Sequence, residues 1–175
     1  MTGPPLPPAP RVFLGLGSNL GDRAAHLRAA RDGIASLPGC RLLRAAGIFQ
    51  TRPAGGPAGQ EDYFNAGCLI ETVLAPARLL VSIQGLEREI GRRRENEPVR
   101  WGPRIIDVDI LLWDGLVLST PDLVIPHPRL AERAFALLPL AELDPGAIHP
   151  GTGLTPGELL ERIGSRHEVV RRLPF

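Results

Sequence analysis

From Ile105 to Leu112 the chain alternates: Ile106, Val108, Ile110 and Leu112 fall on one side of an extended strand, and Ile105, Asp107, Asp109 and Leu111 on the other. Two carboxylates therefore point the same way, roughly 7 Å apart along the strand. Unpaired, they repel each other, and desolvation penalises both charges. A hard divalent cation such as Mg²⁺ removes that conflict, because carboxylate oxygens are its preferred ligands. The plain alternative is a half-exposed strand with an acidic outer face. What precedes the strand tilts the reading towards a site. Arg100 and Arg104 flank it, and Gly102-Pro103 sets the turn into it. Arginines beside a metal-binding carboxylate pair suit a polyphosphate, which needs both.

The strand is the last of a recurring series. Residues 12–16 form a short apolar strand leading into Gly15-Leu-Gly-Ser-Asn-Leu-Gly21. The third glycine comes one residue late for a dinucleotide fingerprint. Gly17 to Asp22 therefore reads as a turn and cap for a helix reaching Ser36, with Ala25, Leu27, Ala30, Ile34 and Leu37 as its buried stripe. Strands over residues 41–50 and 64–73 follow, joined by a Gly- and Pro-rich loop (51–62) too long for a tight hairpin. Pro76 opens a second helix to about Ile90, where Leu79, Leu80, Ile83, Leu86 and Ile90 face the core and Gln84 and Glu87 lie elsewhere. Residues 92–100 read as a mobile, solvated lid of arginines suited to phosphate. Past the Asp strand, residues 116–118 return antiparallel to it after Asp114-Gly115. Residues 130–143 form a helix bent or interrupted at Pro139, and 155–163 a last helix capped by Thr155.

This order, β, α, β, β, α, β, fits an α+β fold with a ferredoxin-like core. The sheet is antiparallel with both early helices on one face, and a C-terminal hairpin and helices lie around its edge. Length suits one domain over residues 11–175, with residues 1–10 a disordered proline-rich tail. The formal charge of +1 sets up no field drawing the chain to nucleic acid or a membrane, and all twenty cationic side chains are arginine. An RNA-binding domain is the rival use of such a fold, but RNP-type aromatic patterns are missing. Cys40 and Cys68 fit no metal or redox motif and read as buried thiols of a cytoplasmic protein. No apolar run reaches the roughly 20 residues of a membrane helix.

The stretch Arg-Trp-Gly-Pro-Arg-Ile-Ile-Asp-Val-Asp-Ile-Leu-Leu (100–112) resembles the signature of the 6-hydroxymethyl-7,8-dihydropterin pyrophosphokinases. So do Gly-Leu-Gly-Ser-Asn-Leu-Gly-Asp (15–22), Thr-Arg-Pro-Ala-Gly (51–55), Gln-Glu-Asp-Tyr-Phe-Asn-Ala-Gly (60–67) and the run from Ile125 to Leu143, in that order. The resemblance implies transfer of the β,γ-diphosphate of ATP to the hydroxymethyl group of the pterin by a cytoplasmic monomer. It assigns two Mg²⁺ ions to Asp107 and Asp109, with Arg92 and Arg104 as catalytic partners. ATP would meet Gln84, Glu87, Arg94, Arg100, Trp101, Ile110, His127 and Arg133. The pterin would meet Thr51, Ala54, Asn65 and Trp101, and stack between Tyr63 and Phe135. The arginine loop is a couple of residues longer than the family pattern and carries Glu95 and Glu97. The correspondence of Arg93, Arg94 and Arg100 therefore stays open.

Overall fold

A computed structural model describes residues 9–94, 102–164 and 169–175. It is a mixed α/β fold with an antiparallel sheet and, among the described residues, four α-helices. In chain order these are β1 (Arg11–Ser18), α1 (Arg23–Ser36), β2 (Cys40–Ala45), β3 (Ile48–Thr51), β4 (Tyr63–Thr72), α2 (Pro76–Ile90), β5 (Asp107–Trp113), β6 (Leu118–Ser119), β7 (Val124–Ile125), α3 (Ala134–Leu143), α4 (Pro156–Ile163) and β8 (Val169–Leu173). The main sheet runs β5-β1-β4-β3-β8, with β2 also paired to β4.

One face of this sheet packs on α1 and α2. Asp22 caps α1 by accepting a 3.0 Å hydrogen bond from the Ala25 amide. Leu27, Ala30 and Ile34, one helical turn apart, are fully buried. Pro76 starts α2, Leu79, Ile83 and Leu86 bury its stripe, and Gly91 ends it at φ 118°, a conformation costly for other residues. The second face, formed by Phe13, Leu69, Leu111 and Leu112, is covered by Leu137, Leu140 and Leu143 of α3 and Leu159 of α4.

The close approach of α3 depends on Gly67. A Cβ there would lie 2.9 Å from Pro139 Cβ and 3.1 Å from Leu143 Cδ1. Gly67→Ala should therefore destabilise the fold by about 1–3 kcal/mol through overpacking. A urea midpoint unchanged from the parent protein would contradict that contact.

Several expectations are corrected. The one-face alternation of the Asp strand holds only through Ile110. Leu14 faces Ile110 but Phe13 faces Leu112, so Leu111 is an extra, bulged residue. Leu112 thereby crosses to the second core, and Trp113 takes its place in the first. The strand expected over 41–50 is split at Ala46 and Gly47, where Ala46 is buried in the second core and the Gly47 amide donates to Glu142 Oε1. Residues 116–118 do not return along β5; Leu118–Ser119 pairs with Val124–Ile125 in a separate ribbon. The helix expected over 130–143 breaks at Arg133, after a 3-10 turn (Leu130–Glu132), and α3 passes through Pro139 uninterrupted. Proline lacks the N–H that would pair with the Phe135 carbonyl, so α3 forgoes one hydrogen bond there. α4 follows the expected bounds, with a full capping box between Thr155 and Glu158. The C-terminal helices cover a whole face instead of the sheet edge, and β8 was not expected at all.

Candidate active site

Across the sheet, β5, β1 and β4 lie side by side, with Asp109 opposite Gly15, Asp107 opposite Gly17, and Gly17 opposite Asn65. At about 4.8 Å per strand, Asp107 and Asn65 stand on the order of 10 Å apart. The glycines between them leave the floor bare: a Cβ on Gly17 would project to 3.3 Å from Asn65 Oδ1, and one on Gly15 into Leu111. Over this floor opens a cavity walled by the loop after β3 on one side and by His127 to Ala136 on the other. Gly15 and Gly17 are thus strand residues that make room in the cavity, and the turn-and-cap role falls to Gly21 and Asp22.

At one end stand the carboxylates, in unequal states. Asp107 accepts hydrogen bonds from Arg92 Nη1 and, at 2.9 Å, from Arg104 Nη1. Burial acts to raise its pKa, but Arg104 and then Arg92 outweigh burial and hold it below the usual carboxylate range. Asp109 accepts no hydrogen bond from any described residue. Burial first, and then the charge of Asp107, push its pKa up to about 7. Arg133 and Arg104 lower it only in part, so Asp109 lacks a direct ion-pair partner, and the expectation of two unpaired carboxylates holds for it alone. A half-buried carboxylate left repelled and without a donor fits a divalent cation. Arg104 Nε, buried without a partner among the described residues, is a donor suited to a phosphate oxygen. No group of three or more metal-binding side chains occurs among the described residues, so nucleotide oxygens would have to complete any coordination shell.

Arg104 is held from behind. Asn19, 1% exposed, takes the Arg104 amide on its Oδ1 at 2.8 Å and donates its own amide to the Arg104 carbonyl at 3.1 Å. The Asn19 side chain also reaches Gln60 Oε1 at 3.1 Å, linking the loop before β4 to the entry of β5.

His127 and Arg133 line the cavity beside the carboxylate strand, the His127 amide donating to the Leu111 carbonyl of β5 at 2.8 Å. Burial, then Arg133, hold the His127 pKa below its usual value. Its Nδ1 accepts from the Arg129 amide at 3.2 Å, which leaves the proton of the neutral ring on Nε2 as a donor. Burial, then Arg129, lower the Arg133 pKa, and its guanidinium sits 5.5 Å from the Phe135 ring centre. At the far end Asn65 Nδ2 donates to Thr51 Oγ1 at 2.8 Å, and both residues are buried. Tyr63, Ala54 and Phe135 complete the walls.

The structure thus gathers Asp107, Asp109, Arg104, His127, Arg133, Thr51, Ala54, Tyr63, Asn65 and Phe135 around one cavity. It does not bring Gln84, Glu87 or Ile110 into the lining. Ile110 is 4% exposed in the first core, on the other face of the sheet. Glu87 is 1% exposed and engaged by Arg92 at 2.8 Å, Arg94 at 2.7 Å and the Val108 amide at 2.8 Å. Arg92, expected in a solvated lid, is 4% exposed. Trp101, Arg100 and the rest of the lid at 95–99 lie outside the described residues. Sequence reading missed Gly15, Gly17, Asn19, Arg52 and Arg129. The Gly-Leu-Gly-Ser-Asn run was the available signal, since paired glycines in a strand announce an open face.

A model of the family described as 7,8-dihydro-6-hydroxymethylpterin-pyrophosphokinase matches residues 13–145. The chain belongs to this family. A relative from Methylorubrum extorquens, named 2-amino-4-hydroxy-6-hydroxymethyldihydropteridine pyrophosphokinase, is 43% identical over 141 residues, 81% of this chain and 87% of its own. One of the same name from Pseudomonas aeruginosa is 40% identical over 164 residues, covering 94% and 97%. A Plasmodium falciparum HPPK-DHPS crystal structure superposes with a TM-score of 0.70 at 14% identity. That match spans 90% of this chain but only 44% of the longer one, and it speaks for the pyrophosphokinase fold alone. Every residue gathered around the cavity lies within the span matched by the pyrophosphokinase model. No helix among the described residues is long and apolar enough to cross a membrane.

Proposed function

We propose that this chain moves the β,γ-diphosphate of ATP to the hydroxymethyl oxygen of 6-hydroxymethyl-7,8-dihydropterin, releasing AMP, as a cytoplasmic monomer of folate biosynthesis. The observation that carries the reading is one glycine-floored cavity with a carboxylate pair among arginines at one end and the Thr51–Asn65 pair beside aromatics at the other. Asp107 and Asp109 are the residues that would hold two Mg²⁺ ions. Bound there, the metal supplies charge neutralisation of the phosphates and a lower pKa for the attacking hydroxyl. Arg92 and Arg104 then stabilise charge developing on the triphosphate, and His127 and Arg133 donate to its oxygens from the wall beside the carboxylate strand. Asn65 reads the pterin edge while Tyr63 and Phe135 stack on its faces. The strand order β5-β1-β4-β3 supports reading the core as ferredoxin-like.

Two calorimetric titrations test this. ATP should bind tightly only with Mg²⁺ present. Phe135→Ala should weaken pterin binding by about 1–3 kcal/mol, the scale of base stacking on aromatics, while ATP affinity barely moves. Metal-independent ATP binding, or loss of ATP affinity in Phe135→Ala, would contradict the two-ended cavity.

A further inference from the structure

We infer that Arg92 and Arg104 close the carboxylate pair to bare divalent cations, and that Glu87 keeps Arg92 beside the pair once a metal-bound nucleotide has displaced it. This rests on the reading of Asp107 and Asp109 as metal ligands.

Both oxygens of Asp107 are taken. Arg92 Nη1 donates to Oδ1 and Arg104 Nη1 to Oδ2, the latter at 2.9 Å. A cation arriving alone has to displace a guanidinium and then sit beside two of them. Asp109, without a donor of its own, offers a single carboxylate, a weak site for an ion that binds through several oxygens. A nucleotide changes the balance, because its phosphate oxygens give the displaced arginines new acceptors and bring the missing negative charge. The arginines thus make the metal site conditional on the substrate.

The geometry also limits how far Arg92 can go. The same Nη1 that meets Asp107 also donates to Glu87 Oε1 at 2.8 Å, so one nitrogen bridges two carboxylates. Glu87 Oε1 in turn accepts the Val108 amide at 2.8 Å, and Val108 lies between the two aspartates in β5. Glu87 is therefore fastened to the strand that carries the carboxylate pair. When Arg92 leaves Asp107 it keeps Glu87 and stays within a side-chain swing of the phosphates. Glu87 acts as a positioning residue and need not touch ATP.

The test is binding of bare Mn²⁺, followed by its electron paramagnetic resonance signal without nucleotide and above neutral pH. It compares the parent protein with Arg92→Ala, Arg104→Ala and, as control, Arg129→Ala. Arg129 lines the same cavity but pairs with Glu132. Arg92→Ala and Arg104→Ala should bind Mn²⁺ on the order of tenfold more tightly than the parent, the scale of a partly screened charge pair. Arg129→Ala should stay within about twofold. If Arg92→Ala folds poorly, Arg104→Ala carries the test. Unchanged or undetectable binding in the Asp107-contacting variants overturns the inference, as does an equal gain in Arg129→Ala. Adding Asp109→Asn to Arg104→Ala should remove the gain. If the gain persists, the ion is elsewhere, and the metal-ligand reading itself fails. For Glu87, Glu87→Gln keeps an acceptor for Val108 but not the charge for Arg92. It should lower kcat on the order of tenfold with the KM for ATP within about twofold. A rise in KM alone, or no loss, removes Glu87 from the positioning role.

Discussion

Asp109→Asn should abolish transfer and at the same time make the metal-free protein more stable. Loss of a metal clamp worth several kcal/mol in the transition state, at roughly 1.4 kcal/mol per tenfold, lowers the rate on the order of 10³-fold or more. The stability gain follows from the sign of its pKa shift. Asp109 is raised by burial and by Asp107 to about 7, so the native state holds a proton that the unfolded chain has released. Stability then falls as pH rises from about 4, the unfolded value, to the folded value, and ionised Asp109 is a standing cost above that window. Asparagine removes the cost, and a gain of about 1–3 kcal/mol is expected above neutral pH, reduced by the solvent still reaching this half-buried group. Asp107→Asn should be equally inactive but less stable, because its folded pKa is lowered and its charge stabilises above the unfolded value. Chemical denaturation with chelator, beside a turnover assay, checks both variants. A carboxylate kept at a cost to the fold is one selected for a ligand.

Arg92→Ala should lose both activity and stability. A side chain in a solvated lid would leave the fold unaffected on removal, whereas Arg92 is 4% exposed and bridges Glu87 and Asp107. Removing it leaves Glu87, 1% exposed, with Arg94 as its remaining cation, 55% exposed in its side chain. Breaking a buried ion pair from one side typically costs about 3–5 kcal/mol. The rate should fall further than ATP affinity, since its phosphate contacts form only after it leaves Asp107. A melting temperature equal to the parent's would show that the buried pair contributes nothing. The solvated-lid expectation therefore fails at Arg92, and residues 95–100 of that stretch lie outside the described residues.

Periodicity made most of the fold legible. Leu27, Ala30 and Ile34 on α1 and Leu79, Ile83 and Leu86 on α2 were marked by helical spacing, and Asp22 and Thr155 by capping chemistry. Misses came where tertiary contacts override local pattern. The Leu111 bulge shifts Leu112 to the opposite core without any sequence mark, since apolar residues continue through Trp113. β8 carries Arg171 and Arg172 in its run, and it is held partly by the forked pair of Arg172 with Glu142 at 2.7 and 3.0 Å. The carboxylate pair was legible because alternation survives up to Ile110. Its unequal state was not, because that depends on which carboxylate Arg104 and the more distant Arg92 reach.

The central claim is transfer of a diphosphate unit in one step between the two ends of this cavity. Phosphorus NMR of a reaction containing ATP, Mg²⁺ and 6-hydroxymethyl-7,8-dihydropterin tests it most directly. AMP and a pterin diphosphate should appear together in equal amounts, only with pterin present and not with Asp109→Asn. Formation of ADP with a pterin monophosphate, or ATP consumption indifferent to pterin, would contradict it.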